Sequence, residues 1–398
     1  MMIQSFWKQG LGIVLGIGLL FLACEYKSPK AIWDPNEDLH LESAPTISRI
    51  DPPQIAPPGV LTISIYGKNF SPNIEKNFVY FGSTKAEIKS CTDTAITVYR
   101  PKVVGTNLPV IVVVQDAYLV AKDTTGYAIP AVWKAYGSLP SLWVVEAFAF
   151  DKDENLYVAR LTKEITKIDP TEARTDLGVR TYKKKTTDMK IAPDGSILLL
   201  ETASNKLHRI PPEGGDSQPY ADLAAKVSYF DFDANGNILA GGDKQGIVVL
   251  KPDLSSRVVG DDLIKQIKII WLKVYNGYVY IADAGAIYRA PILSSDGDLG
   301  STEKVFEMAS VSRYASAKIL SFALSEENKL YIGTTHADAV FIYDPTTQST
   351  QPLYKDILPA NGGLLVWGNT TFLYLYQTQV AGSNTMIRID TGKNEASK

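Results

Sequence analysis

YFDFDANGNILAG, beginning at Tyr229, places Phe230 and Phe232 two residues apart, follows them with a turn rich in Asp, Asn and Gly, and continues into a second apolar strand. The pattern returns in AFAFDKDENLYVA from Ala147, DMKIAPDGSILLL from Asp188, WLKVYNGYVYIA from Trp271, SFALSEENKLYIG from Ser321 and LLVWGNTTFLYLY from Leu364. Taking the first residue after each turn as an anchor gives Leu156, Ile197, Ile238, Val279, Leu330 and Leu373, spaced by 41, 41, 41, 51 and 43 residues. Apolar residues two apart mark the buried face of a strand. A long, nearly fixed period marks a repeat architecture.

Eight residues before the anchors stand Phe148, Met189, Phe230, Trp271, Phe322 and Leu365; six before them stand Phe150, Ile191, Phe232, Lys273, Leu324 and Trp367. Only Lys273 breaks these columns, in the unit whose turn is least regular. A third strand closes most units, as in ITKIDP from Ile165, IVVLKP from Ile247 and VFIYDP from Val340. Three strands with room for a fourth make a propeller blade, and radial repetition protects strand edges. A β-helix or other open array is the competing reading, but it has shorter rungs and needs caps at both ends. The expected fold class is therefore all-β, an immunoglobulin-like sandwich followed by a six-bladed β-propeller over residues 131–391, with a tail at 392–398. After Asp390 too little chain remains for an outer strand, so AVWKAYG, Ala131 to Gly137, is expected to supply it.

The 398 residues carry a net charge of -3, which offers no general attraction for nucleic acid. Residues 1–23 differ from the rest: one lysine, then an apolar run from Gly10 to Ala23, shorter than the roughly 20 residues of a membrane span. Phe21-Leu22-Ala23-Cys24 resembles the cleavage site of bacterial lipoproteins, although Phe21 and Leu22 are bulkier than usual there. That resemblance implies lipidation of Cys24, localisation in the cell envelope, and, with Glu25 following, the outer membrane. Cys91 would then have no intrachain partner. Residues 24–44 read as a polar tether.

Residues 45–129 lack the long period and alternate in short strands, such as Leu61, Ile63, Ile65 and Val110, Val112, Val114, the signature of a small sandwich. The Ile65-to-Phe70 segment IYGKNF, Val79 with Phe81-Gly82, and Pro109-Val110 resemble an IPT/TIG domain. The six repeats resemble NHL-type and lactonase-like propellers through their DG or NG turns and L-Y-V/I strands. Such folds carry enzymes, receptors and scaffolds, so neither resemblance assigns a reaction.

Calcium-dependent lactonases of this shape converge oxygen ligands from several blades. The nearest equivalents are Glu146, Thr187 or Asp188, Ser228 and Ser321, with Ile269 and Ile270 in the fourth unit, so Glu146 and Asp188 are the candidate catalytic and Ca2+-binding pair if the chain is an enzyme. Asp153, Asp194, Asn235 and Asn276 recur three before the anchors and read as turn residues. His40, His208 and His336 lie in unlike contexts and form no local motif. Two irregular loops, GVRTYKKKTTD and the insertion between Ala290 and Lys318, present Arg180, Tyr182, Lys183, Lys184, Arg313 and Tyr314 as candidate ligand-binding residues. The leading expectation is a non-catalytic envelope adaptor recognising a protein or glycan through these loops. A lactonase-like hydrolase and a structural spacer are the alternatives.

Overall fold

The computed structural model describes residues 43–360, 362–380 and 383–398; the leader, Cys24 and the tether up to residue 42 lie outside them. Residues 46–129 form two antiparallel four-stranded sheets. In one, Thr62–Lys68 lies between Thr46–Asp51 and Ala95–Tyr99; in the other, Asn77–Phe81 and Gly105–Val114 are central. Ile63, Ile65, Ile96 and Val98 meet Val79, Phe81, Val110 and Val112 in one buried core, while alternate residues face outward. Gly67 is required there: a Cβ would sit 1.8 Å from the Thr46 carbonyl oxygen. Phe70 closes the core as expected.

Residues 133–390 form six successive four-stranded antiparallel sheets in a propeller-like arrangement. Their first strands are Val145–Phe150, Thr186–Ile191, Tyr229–Phe232, Trp271–Tyr275, Ile319–Leu324 and Leu364–Trp367. Five sheets take their four strands in chain order. The sixth takes its fourth strand, Trp133–Ala135, from ahead of the repeats, with Trp133 opposite Ile389 and Ala135 opposite Ile387. An apolar cluster fills each interval between neighbouring sheets, and one formed by Phe148, Val158, Tyr374 and Tyr376 packs the sixth sheet on the first.

Hydrogen bonds tie adjacent first strands together. Asp188 accepts from Phe230 N at 3.0 Å, Asp231 from Val274 N at 3.0 Å, Phe322 O from Trp271 Nε1 at 2.8 Å, and Ser321 Oγ from Leu365 N at 2.9 Å. Between the sixth and first sheets, Phe150 stacks on Tyr374 with ring centroids 3.8 Å apart.

The apparent break at Lys273 is a turn-length effect. Leu156 pairs with Phe150 across a five-residue turn, and the same spacing holds in all units but the fourth. There Tyr275 pairs directly with Tyr278, and Asn276 and Gly277 have φ of 49° and 75°. Two left-handed residues make the tight hairpin turn whose twist suits paired strands. One residue fewer before the anchor moves the column by one, so Leu272 and Val274 fill the apolar positions. Lys273 pairs with Tyr280 just as Lys190 pairs with Leu198 and Asp231 with Leu239. These three charged residues thus occupy the same place in three consecutive sheets.

Candidate functional site

Lys190, Asp231 and Lys273 line a pocket of about 250 Å³ where the first strands of the sheets approach one another. Phe150, Phe232 and Trp367 supply its apolar wall. Asp151 and Lys152 also line it, and two further charges come from an unexpected direction. The segment 394–398 crosses the ends of the fifth and fourth sheets: Glu326 N donates to Asn394 O, Ala396 N to Leu324 O, and Asn276 N to Ser397 O. This path carries Glu395 and Lys398 into the pocket.

The pocket groups titrate against one another. Asp231, fully buried, would be raised by desolvation alone, but the ammonium groups of Lys398, Lys273 and Lys190 bring it down to about 2. The Lys398 ammonium bonds directly to Asp231; burial works against that charge, yet Asp231 and Glu395 hold it above its ordinary value. Burial raises the Glu395 carboxyl, with Lys273 and Lys398 opposing, and Tyr275 donates to its Oε1 at 2.7 Å. For Lys273, desolvation outweighs the attraction of Asp231 and Glu395 and lowers the ammonium. The side chain is 5% exposed, and its amine makes no hydrogen bond or ion pair among the described residues. A desolvated lysine and a half-buried carboxyl of raised pKa thus line one pocket, a combination suited to proton transfer.

The residues singled out in the sequence lie elsewhere or serve the framework. Glu146 is buried against Arg180, 3.2 Å away, and accepts from Thr186 N at 2.9 Å. Tyr182 is buried, stacked on His208 at 4.2 Å and bonded to Thr186. Lys183 and Lys184 are exposed on that loop, and the Lys184 carbonyl accepts from Arg180. Arg313 makes two bonds to Asp338, at 2.8 and 3.1 Å, while Tyr314, fully buried, donates to Asp338 and stacks on Phe341. Arg313 and Tyr314 are thus tied to another loop, and Arg180 and Tyr182 are interior. Asp194 accepts from Ser196 N and Oγ within its turn, as turn chemistry requires.

Calcium does not fit the pair proposed for it. Asp188 is committed to Met189 N, Phe230 N and the Lys190 ammonium, and Glu146 to Arg180 and Thr186 N. Among the described residues no group of three His, Cys, Asp or Glu side chains is placed to hold a metal ion. Four lysines line the pocket, Lys152, Lys190, Lys273 and Lys398, and add repulsion for a divalent cation.

Glu395 and Lys398 were hidden in a segment that reads as an uninformative tail, and Lys273 behind a register shift. The signal available for Lys273 was the Asn276-Gly277 pair, whose short turn shifts the column by one.

Residues 45–128 match the IPT/TIG domain family, so the sandwich is a domain of that kind. No curated protein sequence matches significantly. Among solved structures, a luciferin-regenerating enzyme superposes with a TM-score of 0.52 at 14% identity, over 67% of this chain and 97% of its own. A protein described as "putative gluconolactonase" gives 0.50 at 13% identity, over 67% and 94%. An auxiliary nutrient binding protein from Bacteroides thetaiotaomicron gives 0.51 at 10% identity, over 89% and 98%. At such identities the likeness is one of fold: an all-β, multi-sheet arrangement. The expectation of a non-catalytic adaptor acting through its loops is corrected here. Proteins of this fold include ones named as enzymes, and the charged cluster lies in the pocket between the sheets rather than on the loops.

Proposed function

We propose that the six sheets close into a six-bladed β-propeller and that the pocket among their first strands is the active site of a hydrolase for small cyclic esters. The pairing of Trp133–Ala135 with the sixth sheet and the Phe148–Tyr376 packing support closure. The observation that carries the catalytic reading is Lys273, 5% exposed and with no hydrogen bond or ion pair to its amine among the described residues, in one pocket with the Glu395 carboxyl.

In this mechanism the neutral Lys273 amine takes a proton from water as the water oxygen attacks the lactone carbonyl carbon. The Lys398 ammonium faces the oxyanion that develops, in a site where desolvation strengthens the interaction. Collapse breaks the ring carbon–oxygen bond, and the Glu395 carboxyl protonates the departing alkoxide. The proton on Lys273 returns to Glu395 through water, so one lactone and one water give one hydroxy acid. Phe150 and Phe232 line the pocket with apolar surface, and its volume of about 250 Å³ limits the substrate to a small one. No step passes through calcium.

The Phe21–Cys24 segment supports placing this enzyme on the envelope by a lipid anchor. Acid release from a panel of γ- and δ-lactones of sugar acids, followed at constant pH, tests the activity. Turnover by the native chain and its loss in Lys273→Met is the expected result. No hydrolysis across the panel by a folded native chain would sink the reading.

A further inference from the structure

Tyr118, Leu119 and Val120 form the tip of the loop joining the last two strands of the sandwich, and they are 81%, 58% and 51% exposed. Ile74, 45% exposed, lies in the turn ahead of Asn77–Phe81. Gln115 N bonds to Lys76 O, and the Lys76 ammonium lies 3.5 Å from Asp116, so this turn and the loop are one surface. Three successive large apolar side chains held in water on a loop are unusual for a surface with nothing to cover it.

The position of this tip identifies the occupant. Thr46 pairs with Lys68, the Ala44 carbonyl accepts from Asn69 Nδ2 at 2.8 Å, and Ser71 N bonds to Asn77 Oδ1. Asn77 in turn pairs with Val114, the last residue before the loop. The chain therefore enters the sandwich at the end that carries Tyr118–Val120. The six sheets attach at the other end, where Arg100 bonds to Pro130 O and Gly59 N to Tyr354 Oη. The ten-residue strand Gly105–Val114 separates the two ends by about 30 Å.

We infer that this tip is a membrane-contact surface, with Tyr118, Leu119 and Val120 entering the interfacial layer of a bilayer. Only 21 residues lie between Cys24 and the first strand of the sandwich, and a polar chain of that length has a root-mean-square reach of about 25 Å. A lipid on Cys24, or insertion of the apolar run Gly10–Ala23, would hold a bilayer within that reach of the same end. A tyrosine beside two aliphatic residues suits the headgroup boundary, and exposed Lys68 and Lys122 near that end suit anionic lipid.

The test is a nitroxide label at Leu119→Cys in the full chain carrying Cys91→Ser, reconstituted on phosphatidylethanolamine–phosphatidylglycerol vesicles. The Cys91→Ser chain alone supplies the background, and Leu142→Cys, 92% exposed in the turn ahead of Val145–Phe150, is the water-facing control. The expected result is loss of broadening by a water-soluble nickel chelate at position 119, retained broadening by oxygen, and full chelate broadening at 142. Chelate broadening at 119 equal to that at 142 overturns the inference. So does protection from both agents, which would mean protein packing, or failure of the chain to stay on the vesicles.

Discussion

The Tyr275 hydroxyl donates to Glu395 Oε1 at 2.7 Å across 120 residues of sequence. It joins the first strand of the fourth sheet to the segment that crosses it, and it places the carboxyl whose pKa burial has raised. Tyr275→Phe removes a donor that favours the charged carboxylate, so the Glu395 pKa rises further. The expected outcome is a shift of one limb of the pH profile of kcat/KM to higher pH, with a stability loss of about 1 kcal/mol in urea melts. Glu395→Gln should remove that limb.

Lys273 has a folded pKa below its unfolded one, so the unfolded chain binds its proton more tightly and stability rises with pH across that window. Replacing it with Met removes a desolvated amine without opening a cavity. At pH 7 Lys273→Met should be as stable as the native chain or more so, and the gap should narrow toward pH 10. Lactone hydrolysis should fall about 100-fold or more. Gain of stability with loss of activity separates a working lysine from a structural one.

Asp231 is depressed to about 2, so its contribution to stability is complete above pH 4 and disappears as pH falls from 4 to 2. Asp231→Asn leaves Lys398 and Lys273 facing each other without their shared carboxylate. Urea unfolding at pH 7 should show a loss of about 3 kcal/mol, shrinking at pH 2.5, where the native aspartate is itself being protonated.

Arg100, 3% exposed, donates to the carbonyls of Ala56, Pro57, Val60 and Pro130 at 2.8 to 3.3 Å. These bonds fix the exit of the sandwich to the start of the sheets. Removing the guanidinium strands buried carbonyls, and Arg100→Ala should cost about 3 kcal/mol and split a single thermal transition into two. Scanning calorimetry reads both effects.

Chelation provides an independent check on the site chemistry. Glu146 and Asp188 are already neutralised by Arg180 and Lys190. Extended dialysis against EDTA should therefore leave both lactone turnover and Tm unchanged, and added Ca2+ should raise neither.

The sheets were legible because each is built locally: a strand, a turn and a strand within about 41 residues, repeated with the same apolar alternation. The outer strand at Trp133–Ala135 was legible by default, since the sixth unit lacked one. The site was not. Its members sit on separate strands and a distant tail, and no local pattern encodes that Glu395 meets Lys273. Lys273 itself looked like an error in a column until a two-residue turn moved that column. Conversely, Glu146 looked available as a ligand because its partner Arg180 is 34 residues away.

The borrowed strand of the sixth sheet also orders events in time. Trp133–Ala135 leaves the ribosome about 250 residues before Ile387 and Ile389, the residues it pairs with. Sheets one to five can each form from neighbouring segments as they appear, whereas the last must wait for a pairing that spans about 250 residues. That wait makes its completion the slow step of folding. A circular permutant that moves Trp133–Ala135 to follow Asp390 would make the pairing local and should fold faster than the natural order.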